Sequence, residues 1–215
     1  MCDFMLIYLL QIVATLVCAV GGALAAGRKS LDLFGVMVVS FAAAVGGGTL
    51  RDLFLDRNPI FGIADSTYLP VTLSAGLLAW IYTRFWAPPL RLLDVVDAFG
   101  LALFSISGLQ IAQQSGQSHL ISLVMGVITG VAGGVFRDLL CGQIPVVFRS
   151  ELSASAALIG GVVYLVLAKS GMAPWICVFL AALLIVTLRL AALQWGWQLP
   201  IFTLKEKIKP AQPGV

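Results

Sequence analysis

Charge is what this 215-residue sequence has least of: Asp, Glu, Lys and Arg make up 11% of it, where a soluble domain carries about 25%. With 60% hydrophobic residues and a mean hydropathy of +1.02, it reads as an all-α polytopic membrane protein. Histidine is nearly absent too. His119 is the only one, which excludes a histidine metal cluster. Cys2, Cys18, Cys141 and Cys177 lack metal-ligand spacing and read as small apolar residues. No glycine loop runs into Lys-Ser/Thr and no nucleophile–base set is evident, so neither a cofactor nor catalysis is expected. The net charge of +3 is scattered over short loops and gathered in "LKEKIKP" at 204–210. Without a clustered basic face, nucleic acid is not an expected partner.

What is there is apolar sequence in long runs. A bilayer crossing takes about 20 mainly apolar residues. Seven runs approach that length, at 4–26, 32–50, 68–86, 92–113, 118–140, 152–168 and 173–194. Turns such as Gly27-Arg28-Lys29-Ser30 and Ala87-Pro88-Pro89 separate them, leaving no room for a soluble domain. Ala23-Leu24-Ala25 imitates a signal-peptide cleavage site, but the start lacks a basic region and the first run is too long for that reading. Arg28, Lys29, Arg84, Arg91, Arg149, Lys205, Lys207 and Lys209 fall in one set of loops, and mainly Arg57 and Lys169 in the other. The bias predicts an N-terminus outside the cytoplasmic membrane and a C-terminus in the cytoplasm.

The most informative feature is a repeat. "GGGTLRDLF" at 46–54 returns as "AGGVFRDLL" at 132–140. Gly47, Gly48, Arg51, Asp52 and Leu53 reappear as Gly133, Gly134, Arg137, Asp138 and Leu139, an offset of 86 residues (51 to 137). The same offset takes Gly22 to Gly108, Pro59 to Pro145 and Asp65 to Glu151. Matched charges in so uncharged a chain argue for duplication over coincidence. The expected organisation is repeat one at 4–86, repeat two at 92–168, a seventh helix at 173–194 and a cytoplasmic tail at 195–215. Three spans per repeat is an odd number, so the two halves must be inverted relative to each other.

The motif itself is costly. Glycine costs a helix interior about 1 kcal/mol, and a charge near the bilayer centre about 2.5–3.5 kcal/mol. Gly46, Gly47, Gly48, Gly133 and Gly134 are expected to break or bend spans two and five beside a polar path. Close helix packing through small residues is the alternative. Arg51 and Asp52 are neighbours on one helix and do not face each other. The expected pairs are therefore Arg51 with Asp138 and Arg137 with Asp52, across the repeat axis. Such a cluster either holds the walls together or belongs to the path and its gate. Asp97 is the candidate for attracting a cation, and the offset maps it to Gln11. Thr49, Thr129 and Ser105 are candidates for neutral oxygens lining the path, with Ser107, Gln110, Gln113 and Gln114 also polar within span four. Asp94 reads as a helix cap.

Twin copies of Gly-Gly-x-x-Arg-Asp, each followed by a proline, together with "RLAALQWGWQLPIF" at 189–202, resemble the prokaryotic trimeric intracellular cation (TRIC) channel family. Its bacterial members are also described as YicG/YadS-like membrane proteins with a "glycine transporter" label on each repeat. The resemblance implies a homotrimer in the membrane lipid, with a pore in each subunit lined by bent second and fifth helices. It implies passive passage of monovalent cations, chiefly K⁺. The animal channels carry a Lys-Glu-Val motif that is absent here, so phosphoinositide regulation is not carried over. A small-solute carrier of glycine type, working by alternating access on the same repeats, stays open as the second reading.

Overall fold

A computed structural model of the chain describes residues 2–89, 91–148 and 152–197. The elements are α1 (Cys2–Arg28), α2 (Leu33–Phe54), α3 (Phe61–Ala64), α4 (Tyr68–Phe85), α5 (Leu92–Gln114), α6 (His119–Leu140), α7 (Ser153–Lys169) and α8 (Pro174–Trp195). A 3-10 turn at Val146–Phe148 joins α6 to α7, and no strand occurs among the described residues. Each apolar run of the sequence is thus one helix. Five of them (α1, α2, α5, α6 and α8) are long and apolar enough to cross a bilayer. The 17-residue α7 is apolar but shorter. Arg149, Glu151, Lys205, Lys207, Lys209 and the tail beyond Trp197 lie outside the described residues.

Local signals set the helix ends. The Asp32 carboxylate accepts the Gly35 N–H at 2.7 Å to start α2, and the Ser118 hydroxyl accepts the Ile121 N–H to start α6. These two caps are themselves 86 residues apart. Pro174 opens α8, where its missing N–H costs nothing, and Gly196 closes it in the left-handed region at φ 65°. Asp94 makes no capping bond; it lies in the first turn of α5, where the helix dipole favours a carboxylate.

The glycines explain the packing, and they do not break either helix. Both α2 and α6 run as uninterrupted α-helix through Gly46, Gly47, Gly48, Gly133 and Gly134. What these residues permit is contact. A Cβ on Gly47 would overlap the Thr129 carbonyl oxygen, and a Cβ on Gly133 would overlap the Ala43 carbonyl oxygen. The two contacts are mates under the 86-residue offset, since Gly47 maps to Gly133 and Ala43 to Thr129. They also fix α2 and α6 as antiparallel, crossing near residues 45 and 131. Gly22 brings α1 against the Ser40 backbone of α2, and its mate Gly108 brings α5 against Thr129 of α6. Side chains too large for such a crossing would push the helices apart, which is why small residues dominate it.

Outward faces carry Leu9, Leu78, Val166 and Phe179, all exposed. That surface suits hydrocarbon rather than water.

Candidate functional site

The Arg-Asp motifs do not pair across the crossing. Arg51 Nε donates to Asp52 Oδ1 at 2.8 Å, with Nη2 at 2.7 Å from the same oxygen. Arg137 repeats this on Asp138 Oδ1, at 2.9 and 2.8 Å. The expected Arg51–Asp138 and Arg137–Asp52 pairs are therefore absent, for a geometric reason. Each arginine lies six residues beyond the α2/α6 crossing, in opposite directions, which at 1.5 Å per residue puts them about 18 Å apart. Neighbouring side chains on a helix diverge by about 100°, but the long arginine arm bends round to its own aspartate.

Each aspartate has a second task. Asp52 Oδ2 accepts the Phe61 N–H at 2.8 Å, and Asp138 Oδ2 accepts the Val146 N–H at 3.0 Å. One carboxylate oxygen thus holds the arginine and the other holds the chain returning after the helix. All four charged side chains are almost completely buried. A buried pair of this kind gains little over apolar packing, yet losing one partner typically costs about 3–5 kcal/mol.

Beyond this shared pattern the halves differ. Arg137 Nη1 donates to Asp97 Oδ1, so this arginine is held by two carboxylates. Gly21 of α1 leaves room for them; a Cβ there would stand 3.4 Å from Asp97 Oδ1. On the other side Asp97 is replaced by Gln11, which is buried. There Arg51 Nη1 is buried with no hydrogen-bond partner, and the guanidinium carbon sits 5.6 Å from the centre of the Phe61 ring. The more exposed Arg57 approaches Asp52 only to 3.8 Å, a distance and setting that contribute little.

A cavity of about 60 Å³ adjoins Arg137. Its walls include Asp97, Gly133, Gly134, Arg137, Val146 and Arg189, so it draws on α5, α6, the turn at 146–148 and α8. The structure brings the sequence candidates Asp97, Gly133, Gly134 and Arg137 together there. It does not bring Gly46, Gly47, Gly48, Arg51, Asp52, Gln11, Thr49, Ser105, Thr129 or Asp138 to the cavity wall. The Thr129 hydroxyl donates to the Met125 carbonyl of its own helix at 2.6 Å. The Ser105 hydroxyl is buried against Gly130 without a hydrogen-bond partner.

Two residues were missed by the sequence reading. Arg189, a charge within the apolar α8, lines the cavity and is buried; a charge inside a span is itself a signal of function. Phe61 packs on Arg51 and carries no such signal, because an aromatic after a proline turn is ordinary.

Antiparallel membrane helices that cross at glycines, with duplicated buried ion pairs and a cavity beside Asp97, fit a polytopic membrane protein of transporter or channel type. The profile of the family described as "Glycine transporter" matches twice, at residues 8–84 and 94–169. The inner membrane protein YadS of Escherichia coli K12, of the group designated UPF0126, is 41% identical over 207 residues, covering 94% of this chain and 99% of that one. Among solved structures, the TRIC trimeric intracellular cation channel orthologue from Rhodobacter sphaeroides has a TM-score of 0.84 and 34% identity, covering 89% of this chain and 98% of that one. A prokaryotic TRIC channel crystallised in 0.5 M KCl has a TM-score of 0.83 and 26% identity, covering 91% of this chain and 100% of that one. The chain belongs to this TRIC and YadS-like membrane protein family.

Proposed function

We propose that the protein is a passive channel for monovalent cations, chiefly K⁺, assembled as a homotrimer with one path per subunit. On this reading, helices α1, α2 and α4 form repeat one (4–86) and α5, α6 and α7 form repeat two (92–168), inverted relative to each other. Helix α8 adds a seventh span at 173–194 of the sequence division, and the tail that follows is cytoplasmic. The path follows the α2/α6 crossing, with the glycines as its close contacts and the Arg-Asp pairs as fixed, internally neutralised walls. Asp97 offers the cavity a carboxylate that a cation can approach, with Arg137 and Arg189 in the same wall. The N-terminus faces outward from a bacterial or archaeal cytoplasmic membrane. Supporting this orientation, Arg28, Lys29, Arg84 and Arg91 share the end of the bundle opposite Arg57 and Lys169.

The observation that carries the reading is a largely apolar cavity with Asp97 in its wall, in a fold similar to solved cation channels. Purified protein in planar bilayers tests it. Unitary K⁺ currents are expected, with cation-over-anion reversal potentials. The "Glycine transporter" description of the matching profile favours a second reading, an alternating-access carrier. Saturable glycine uptake into vesicles without unitary currents would establish the carrier instead.

A further inference from the structure

The 86-residue offset relates the α2/α6 contacts, the helix caps and both Arg-Asp pairs, so a difference between the two halves stands out against a symmetric background. The cavity is such a difference. Beside Gly134 no atom lies within 4 Å of where a Cβ would be, and the cavity occupies that space. Beside its mate Gly48 the equivalent space is filled by the Phe61 ring, with Cδ1 2.6 Å from the Cβ position. By the offset Phe61 corresponds to Val147 and by the shared bond to the aspartate it corresponds to Val146, and both valines only line the cavity wall.

We propose that Phe61 is the plug of the repeat-one half of the path, and that α3 is the latched lid that carries it. This rests on the channel reading above. The ring is almost fully buried, 4.1 Å from the Tyr68 ring centre and edge-on to Phe104. The lid is four residues long and tied at both ends. Asp52 Oδ2 accepts the Phe61 N–H at its start, and Asp65 Oδ2 accepts the Tyr8 hydroxyl at 2.8 Å at its finish. Its other face is open, since Ile63 and Ala64 are exposed.

Opposing contributions act on this element, with the Arg51 guanidinium 5.6 Å from the Phe61 ring centre on the side of closure. With the ring in place, its apolar burial opposes opening. The buried Arg51 Nη1 without an acceptor opposes closure, because an unmet charged donor is costly in a dry site. Withdrawal of the ring admits water to Arg51 and creates a second cavity opposite the first. Wetting and dewetting at an apolar constriction is a known way of gating a pore.

Three variants test the plug: Phe61→Val, which installs the residue type of position 147; Val147→Phe, which fills the existing cavity; and Tyr8→Phe, which removes one latch and keeps the ring. Two readouts are used on protein in liposomes, K⁺ flux and hydroxyl-radical labelling of Tyr68, which is buried beside Phe61. For Tyr8→Phe, loss of one hydrogen bond predicts about a two- to tenfold rise in both labelling and flux. Phe61→Val is expected to raise both further, and Val147→Phe to lower flux without changing Tyr68 labelling. Unchanged Tyr68 labelling in Tyr8→Phe and in any folded Phe61→Val preparation overturns the plug. Raised labelling with no cation flux in the wild type or any variant keeps the plug and overturns the channel reading.

Discussion

Gly47 lies against the Thr129 carbonyl, and the 86-residue offset turns that contact into the one between Gly133 and Ala43. A contact that maps onto its own mate in this way marks a local two-fold axis through the α2/α6 crossing. Everything polar in the site is placed relative to that axis.

Adding one methyl group at either glycine should therefore have the same effect. Gly47→Ala and Gly133→Ala each force a backbone carbonyl to move and should destabilise by about 1–3 kcal/mol. Gly134→Ala, with open space around it in mid-helix, should instead raise stability in detergent by about 0.5–1 kcal/mol. A large unequal response of Gly47→Ala and Gly133→Ala would remove the axis from the description.

Buried charges should couple within a motif and not between motifs. In a double-mutant cycle, Arg51→Gln with Asp52→Asn should show a strong interaction, since Nε and Nη2 both meet one oxygen. Arg51→Gln with Asp138→Asn should be additive within about 0.5 kcal/mol, as expected for groups this far apart. Coupling of the second pair in unfolding measurements would contradict the geometry.

The unmatched Arg51 Nη1 predicts a stabilising substitution. Asp97 holds Arg137, and the residue at the corresponding position for Arg51 is Gln11. Gln11→Asp should bring a carboxylate toward Nη1 and raise stability by about 1.5–3 kcal/mol, the range for hydrogen bonds to charged groups. Gln11→Leu should give no such gain. Thermal unfolding of the two variants side by side decides the matter.

Asp65 gives a pH dependence of known sign. It lies between α3 and α4, and hydrogen bonds from Thr67 and then Tyr8 hold its carboxyl below the ordinary carboxylate value. A lowered native pKa means a contribution fully present above the unfolded value, about 3.9, and lost as pH falls through the native one. The stability difference between wild type and Asp65→Asn should thus be constant at neutral pH and shrink below about pH 4. A difference that grows on acidification would show that the bond forms to the protonated acid.

How much of this was legible in the sequence follows from the range of each interaction. The helices were readable because hydropathy acts over one run at a time, and each of the seven runs became a helix with edges shifted by a few residues. The Arg-Asp motif was readable as a duplicated charge cluster, but its partners were not. Neighbours on a helix point apart as an average rule, and only the bent arginine arm and the returning Phe61 and Val146 amides show where each group finds its bond. Asp97 was legible as a lone carboxylate in an apolar run, whereas its capture by Arg137 depends on α5 and α6 lying side by side around Gly21.

The sequence by itself determined a membrane-embedded helical chain, because its charge content is too low for a soluble surface and its apolar runs are of bilayer length. It also determined the duplication, because the offset is carried by residues too costly to recur by chance. The tertiary structure alone decided what the glycines do, since an unbroken helix and a broken one share the same composition. It decided as well that the space beside Gly134 is open while the space beside its mate Gly48 is filled by Phe61. That difference rests on one aromatic ring meeting one glycine across 13 residues of chain, and no local pattern encodes such a meeting.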